Sequence, residues 1–159
     1  MIIVSDASPL SALAEIGELE CLRRLYGHVV IPETVLHECS HPSSPAVLVA
    51  MLASGDPLFH VVPDPVLLPE TRSVDPGEAA AISLAWLNRG NSTLIIDDLD
   101  GRKLCDALGL QKTGTAGVLL AAANAGWVDF DQAIQRLQET DFRLGDTVVA
   151  ELRQRLRHP

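Results

Sequence analysis

Short apolar runs, each closed by a turn or a helix cap and followed by a helical stretch, restrict this chain more than any other feature. The runs are residues 2–6 (Ile2-Ile3-Val4-Ser5-Asp6), 28–31, 59–62, 93–96 and 110–112. Strands that alternate with helices imply a parallel sheet covered on both faces. Nearly continuous apolar character is what such doubly covered strands require. Helical stretches are predicted from Ser8 to Gly17, with Ser8 as cap and Pro9 at the first helical position. Others are predicted over 18–26, 32–39, 44–54, 75–88, 99–109, 115–124 with Thr115 as cap, 130–139 and 146–157. The pattern predicts a three-layer α/β/α fold around a short, mainly parallel sheet of about five strands, as one domain over 1–159. Residues 63–74 hold Pro63, Pro65 and Pro69 with no period, and read as a loop.

Composition narrows the partners. The formal net charge is -9, which argues against broad, sequence-independent nucleic-acid binding, since that rests on a basic footprint. A nucleic-acid substrate held locally by a few arginines remains compatible. Cys21, Cys39 and Cys105 are widely spaced, form no zinc pattern with histidine, and read as buried reduced thiols. No phosphate-binding glycine loop and no nucleophile elbow occurs. The opening strand does not resemble a signal peptide, and no apolar run is long enough to span a bilayer. A reducing cytoplasm is the expected location.

In parallel α/β folds, ligands bind beyond the carboxyl ends of the strands, where the strand order reverses. Asp6 closes the first run, and Asp97 and Asp98 close Leu94-Ile95-Ile96. Glu78 opens a helix whose residues 79–87 carry no charge, so that helix should be buried on most faces. Like charges brought close raise one another's pKa, and a divalent cation resolves the conflict. Each acid also has a simpler role. Asp6 fits a turn. Asp75-Pro76-Gly77-Glu78 fits a capping box. One of Asp97, Asp98 and Asp100 is needed to cap the next helix. Strand alternation puts Asp97 and Asp98 on opposite sides, which leaves either as the acid directed at a site. Glu38 borders an apolar helix face, and Asp106 reads as an ion pair with Arg102 at i,i+4. Ser8, besides capping, can hydrogen-bond a neighbouring carboxylate.

These blocks resemble the PIN domain, the small metal-dependent nuclease fold common among prokaryotic toxin–antitoxin ribonucleases. Val4-Ser5-Asp6-Ala7-Ser8-Pro9-Leu10 is similar to the start of a compact branch of that family. Val30-Ile31-Pro32 through Glu38 is similar to its second block, and Gly77-Glu78-Ala79-Ala80-Ala81-Ile82 to its third. Leu94 to Asp98 and Thr113-Gly114-Thr115-Ala116-Gly117-Val118-Leu119 resemble the fourth and fifth. Many relatives carry Asp where this chain has Glu78.

The resemblance implies hydrolysis of phosphodiester bonds in single-stranded RNA, with Asp6, Glu38, Glu78 and Asp98 as catalytic acids. It implies one or two Mg2+ or Mn2+ ions held among Asp6, Glu78, Asp97 and Asp98, with Ser8 and Thr115 as outer hydrogen-bond partners. Arg72, Arg102, Lys103 and Lys112 are the candidate phosphate contacts. A homodimer and a small antitoxin protein are the implied partners. Two rival readings stand beside this one. In the first, a receiver-like phospho-acceptor module would use Asp6, Asp97-Asp98 and Lys112. In the second, a catalytically silent scaffold of the same fold would only bind a partner.

Overall fold

The computed structural model describes residues 1–157. Its strands are β1 (Ile2–Ser5), β2 (Val29–Pro32), β3 (Phe59–Val62), β4 (Ser92–Ile95) and β5 (Lys112–Thr113). They form one sheet in the order β3-β2-β1-β4-β5, and every pairing is parallel. The first strand of the chain is therefore the middle one, with Ile2 opposite Ser92 and Ser5 opposite Ile95. Val4, Ile31, Leu94 and Ile95 are fully buried, as expected for strands covered on both faces.

The helices are α1 (Ala7–Glu15), α2 (Glu20–Tyr26), α3 (Glu33–Cys39), α4 (Ala46–Ala53) and α5 (Pro76–Leu87). They continue with α6 (Leu99–Ala107), α7 (Thr115–Asn124), α8 (Phe130–Gln138) and α9 (Asp146–Gln154). Crossovers between parallel strands are right-handed. The chain steps outward from β1 to β3, then returns across the sheet to β4 and β5, and α3 packs against both α1 and α5. α5 lies across β1, β2 and β4. Its small residues Ala79, Ala80, Ala81 and Ala85 are buried against the sheet, which lets the helix approach closely. α7 packs on α1 and α2, and α8 and α9 pack on α7. Cys21, Cys39 and Cys105 are free and buried, as expected.

Several local expectations are corrected. Ser8 is not a helix cap: α1 begins at Ala7, the N-cap position is Asp6, and Ser8 is exposed on the first turn. The β1–α1 connection is thus shorter than the Ser-Pro signal suggested. Thr115 is the first residue of α7 and Gly114 is its N-cap. The last strand is Lys112–Thr113 rather than 110–112, because Leu110 turns into the core and pairing starts two residues later. The last helix ends at Gln154. Residues 63–74 are not all loop. Pro69–Ser73 forms a 3-10 turn, Thr71 is buried in it, and the Leu68 N–H donates to Ser83 Oγ of α5 at 3.0 Å.

Candidate active site at the carboxyl edge of the sheet

The strand order changes direction at β1, which opens a crevice between the ends of β1 and β4. Asp6 stands at its lip. Its N–H donates to Ile95 O at 3.0 Å, which pins the backbone, and its carboxylate makes no capping hydrogen bond to α1. The residue is only 3% exposed. Burial pushes its carboxyl up to about 7, the Ala7 N–H pulls it back, and Asp75, Glu38 and Asp97 push it further up. No cation contributes.

Glu78 comes to the same place from the N-terminus of α5 and is 7% exposed. Burial is again the main cause that pushes its carboxyl up, to about 9. A hydrogen bond with the Asp75 carboxyl and the charges of Asp75, Asp6 and Asp98 add to it. Half of the expected capping box forms, with the Glu78 N–H donating to Asp75 Oδ1 at 2.9 Å. The Glu78 side chain meets the Asp75 carboxyl instead of turning back to the cap's backbone.

Glu38 comes from the last turn of α3 and is half-buried, not on a solvated face. Its Oε1 accepts the Gly77 N–H at 3.0 Å. Burial and the charge of Asp75 raise its pKa, and the Gly77 hydrogen bond and His37 lower it. The lack of a side chain at Gly77 leaves the space that the Glu38 carboxylate occupies. A Cβ there would lie 2.1 Å from Glu38 Oε2.

The two consecutive acids after β4 part company. Both oxygens of Asp97 are taken by Thr115: the N–H donates to Oδ1 at 2.8 Å and Oγ1 donates to Oδ2 at 2.5 Å. Burial raises the Asp97 pKa, and the Thr115 hydrogen bonds and the Arg102 guanidinium hold it down. Asp98 is exposed and caps α6, accepting the Gly101 N–H at 3.0 Å. The charge of Asp98 still reaches Glu78, and that of Asp97 still reaches Asp6.

These roles predict opposite responses. Asp97→Asn should destabilise the fold by about 1–2 kcal/mol, since the amide puts a donor against one of two buried Thr115 donors. Asp98→Asn should be near neutral, because Asn caps as well as Asp. Urea unfolding of the two variants measures the difference.

Asp75 is the acid that sequence reasoning missed as a member of the site. It was read only as the cap of α5, which it is, yet its charge acts on Asp6, Glu38 and Glu78 alike. The usable signal was its position at the same helix N-terminus as Glu78. Of the candidate phosphate contacts, Arg72 is exposed on the 3-10 turn and Lys103 is exposed on α6. Arg102 donates to Ile96 O at 2.7 Å. The predicted Arg102–Asp106 pair does not form. Arg102 folds back over the end of β4, and Asp106 pairs with Lys112. Lys112 is therefore directed at Asp106, not at Asp6 as a phospho-acceptor module would need.

The model of a PIN-domain family matches residues 2–158. The chain belongs to the PIN-domain family. PIN domains are generally nucleases that use divalent metal ions, and this PIN domain has the α/β architecture with a five-stranded parallel sheet. No curated protein and no solved structure matches the chain significantly.

The acids fit a divalent cation in kind. They are all oxygen donors, two of them are deeply buried, and no positive group acts on those two. They are not a finished cage: among the described residues no three His, Cys, Asp or Glu side chains converge on one point closely enough to hold an ion. Nor is any described helix long and apolar enough to cross a membrane.

Proposed function

We propose that this PIN domain is a divalent-metal-dependent endoribonuclease that hydrolyses single-stranded RNA. The observation that carries the reading is the gathering of Asp6, Glu38, Asp75 and Glu78 at one crevice, where the buried pair Asp6 and Glu78 has no cation to balance it and only His37 acts on Glu38. A protein that keeps such strain at a sheet switch point keeps it for a ligand of opposite charge. Asp6, Glu78 and Glu38 are the residues that would hold Mg2+ or Mn2+, with Asp98 reached by a turn of its side chain away from the cap. Such an ion, once bound, supplies an acidified water and offsets charge on the phosphate.

The chain's own part is separable. With carboxyls at about 7 and about 9, Asp6 is partly and Glu78 mostly protonated at neutral pH when no cation is present. Both release protons when a cation arrives. Glu38 is held against α5 by the Gly77 N–H. Thr115 holds both oxygens of Asp97 and so ties the end of β4 to the start of α7. An acidic crevice repels RNA until its charge is compensated, so cation and RNA should bind together.

The test is cleavage of an end-labelled single-stranded RNA with manganese, with chelator, and by Glu78→Gln. Manganese-dependent products that vanish with chelator and fall at least a hundredfold in Glu78→Gln support the reading, since acids acting as a unit are lost as a unit. Equal products from the variant would sink it. We further propose a cytoplasmic toxin that works as a homodimer and is inhibited by a small antitoxin. Growth arrest on induction, relieved by Glu78→Gln, would separate a toxin from a housekeeping nuclease.

A further inference from the structure

A second concavity lies beside the crevice, and its chemistry is the reverse. It is a cleft of about 480 Å3 between the start of α6, the start of α7, the 142–145 loop and α9. Arg102, Lys112, Arg143 and Arg155 line it. Four of the twelve lysines and arginines of a chain with net charge -9 thus meet in one place. The one acid in the lining, Asp97, has both oxygens occupied by Thr115. Lys112 is paired with Asp106. Arg102 donates to a backbone carbonyl and stands near Asp97, and Arg143 and Arg155 are exposed with no ion-pair partner among the described residues. The rest of the lining is Thr113, glycines and a set of apolar side chains. Leu99 is 64% and Val148 45% exposed, and Phe142 and Leu152 lie with them. A cationic rim over an apolar floor matches a nucleotide, with its charged phosphate and flat base.

The cleft lies near the acids, with Asp97 and Phe142 as the links. Asp97 belongs to its wall and acts on Asp6. Phe142 also borders the neighbouring hollow lined by Ala7 and Ser8, the residues that follow Asp6.

We propose that this cleft seats a nucleotide of single-stranded RNA next to the cleaved phosphodiester. Its phosphate lies on Arg102, Arg143 and Arg155, and its base lies against Phe142 and the exposed Leu99 and Val148. The inference rests on the ribonuclease reading and deepens it: α9 and the loop before it become part of the substrate site. The acids alone would repel the strand, and the cleft supplies the attraction that holds it. Arginine suits the task because its planar fork grips phosphate and stacks on bases.

The experiment is fluorescence anisotropy of an end-labelled single-stranded oligoribonucleotide in calcium, titrated with the full chain at several salt concentrations. Arg143→Ala/Arg155→Ala is expected to bind about thirtyfold more weakly, as for two water-screened charge pairs. Its slope of log affinity against log salt should fall by about 1.4, at about 0.7 for each phosphate contact in a single strand. Phe142→Leu keeps an apolar group in the core and should weaken binding by about tenfold through lost stacking. Wild-type affinity and slope in the double variant would overturn the cleft, while manganese-dependent cleavage by the wild type would leave the ribonuclease reading standing. Binding that follows the expected pattern without any cleavage would do the opposite. A wild type that binds no RNA would overturn the cleft. So would tighter binding of polyglutamate, lost in the double variant, which would mark the cleft as a seat for an acidic protein.

Discussion

Asp6→Asn is expected to abolish RNA cleavage and, in the absence of divalent metal, to raise the melting temperature at pH 8. Both effects come from the same buried carboxyl. Asp6 has its pKa raised from 3.8 to about 7. The folded state therefore holds a proton that the unfolded state has released, and stability must fall as pH rises through that window. The contribution is intact below pH 4 and lost above pH 7. Three pKa units correspond to about 4 kcal/mol at most, or about 10 °C in a chain of this length. The metal-free wild type should melt lower at pH 8 than at pH 5, and Asp6→Asn should flatten much of that slope. Saturating manganese should restore the wild type and leave the variant unaltered. Calorimetric scans at the two pH values, with and without manganese, measure all four quantities. A variant that melts lower than wild type at pH 8 and responds to manganese equally would make Asp6 a structural residue.

The second large effect is expected from Gly77→Ala, a change that adds one methyl group. Its Cβ would meet Glu38 Oε2 at 2.1 Å and Oε1 at 2.7 Å. The obstacle is the far end of a flexible side chain, so Glu38 can swing away. The stability cost should then be about 1–2 kcal/mol, the worth of a lost hydrogen bond to a charged group. Greater helix propensity of Ala offsets it by up to about 1 kcal/mol. Activity should fall far more than stability. Glu38→Gln should reproduce the loss of cleavage, and Gly77→Ala/Glu38→Gln should be no worse than either alone, because both act through one carboxylate. Single-turnover rates for the three variants decide this. Additive losses would mean that Gly77 serves something other than the placement of Glu38.

The sheet and most helices were legible because each signal was local and repeated. Phe59–Val62 was legible to the residue. α5 announced its burial by nine residues without charge. Local signals misled where two devices compete for one helix start. Ser8-Pro9 has the form of a cap, but β1 delivers the chain so that Asp6 already occupies the cap position. Thr115 likewise looks like a cap and serves as a donor to Asp97, eighteen positions earlier. The pairing of Asp106 depended on β5 lying beside α6, which no helical spacing can reveal. Within the site, Asp6, Glu78 and Glu38 were readable from their blocks. Asp75 was hidden because one function, capping, already explained it. Arg143 and Arg155 belong to stretches with no motif, and only packing of α9 on α7 brings them to the cleft.

The middle place of β1 has a consequence for how the chain comes into being. The first strand synthesised is flanked by β2 and β4, and Ile2 finds its partner only at Ser92. Contacts so distant along the chain make folding slow and non-local. A nascent segment can pair β1 with β2 and β3, yet its inner strand keeps one edge open until more than half the protein has been made. Asp6 and Glu38 can by then be in place, whereas Asp97 and the wall of α9 still lie in the ribosome. On the ribonuclease reading, cleaving power would therefore arise late, when β4 slots beside β1 and closes the edge on which Asp6 stands.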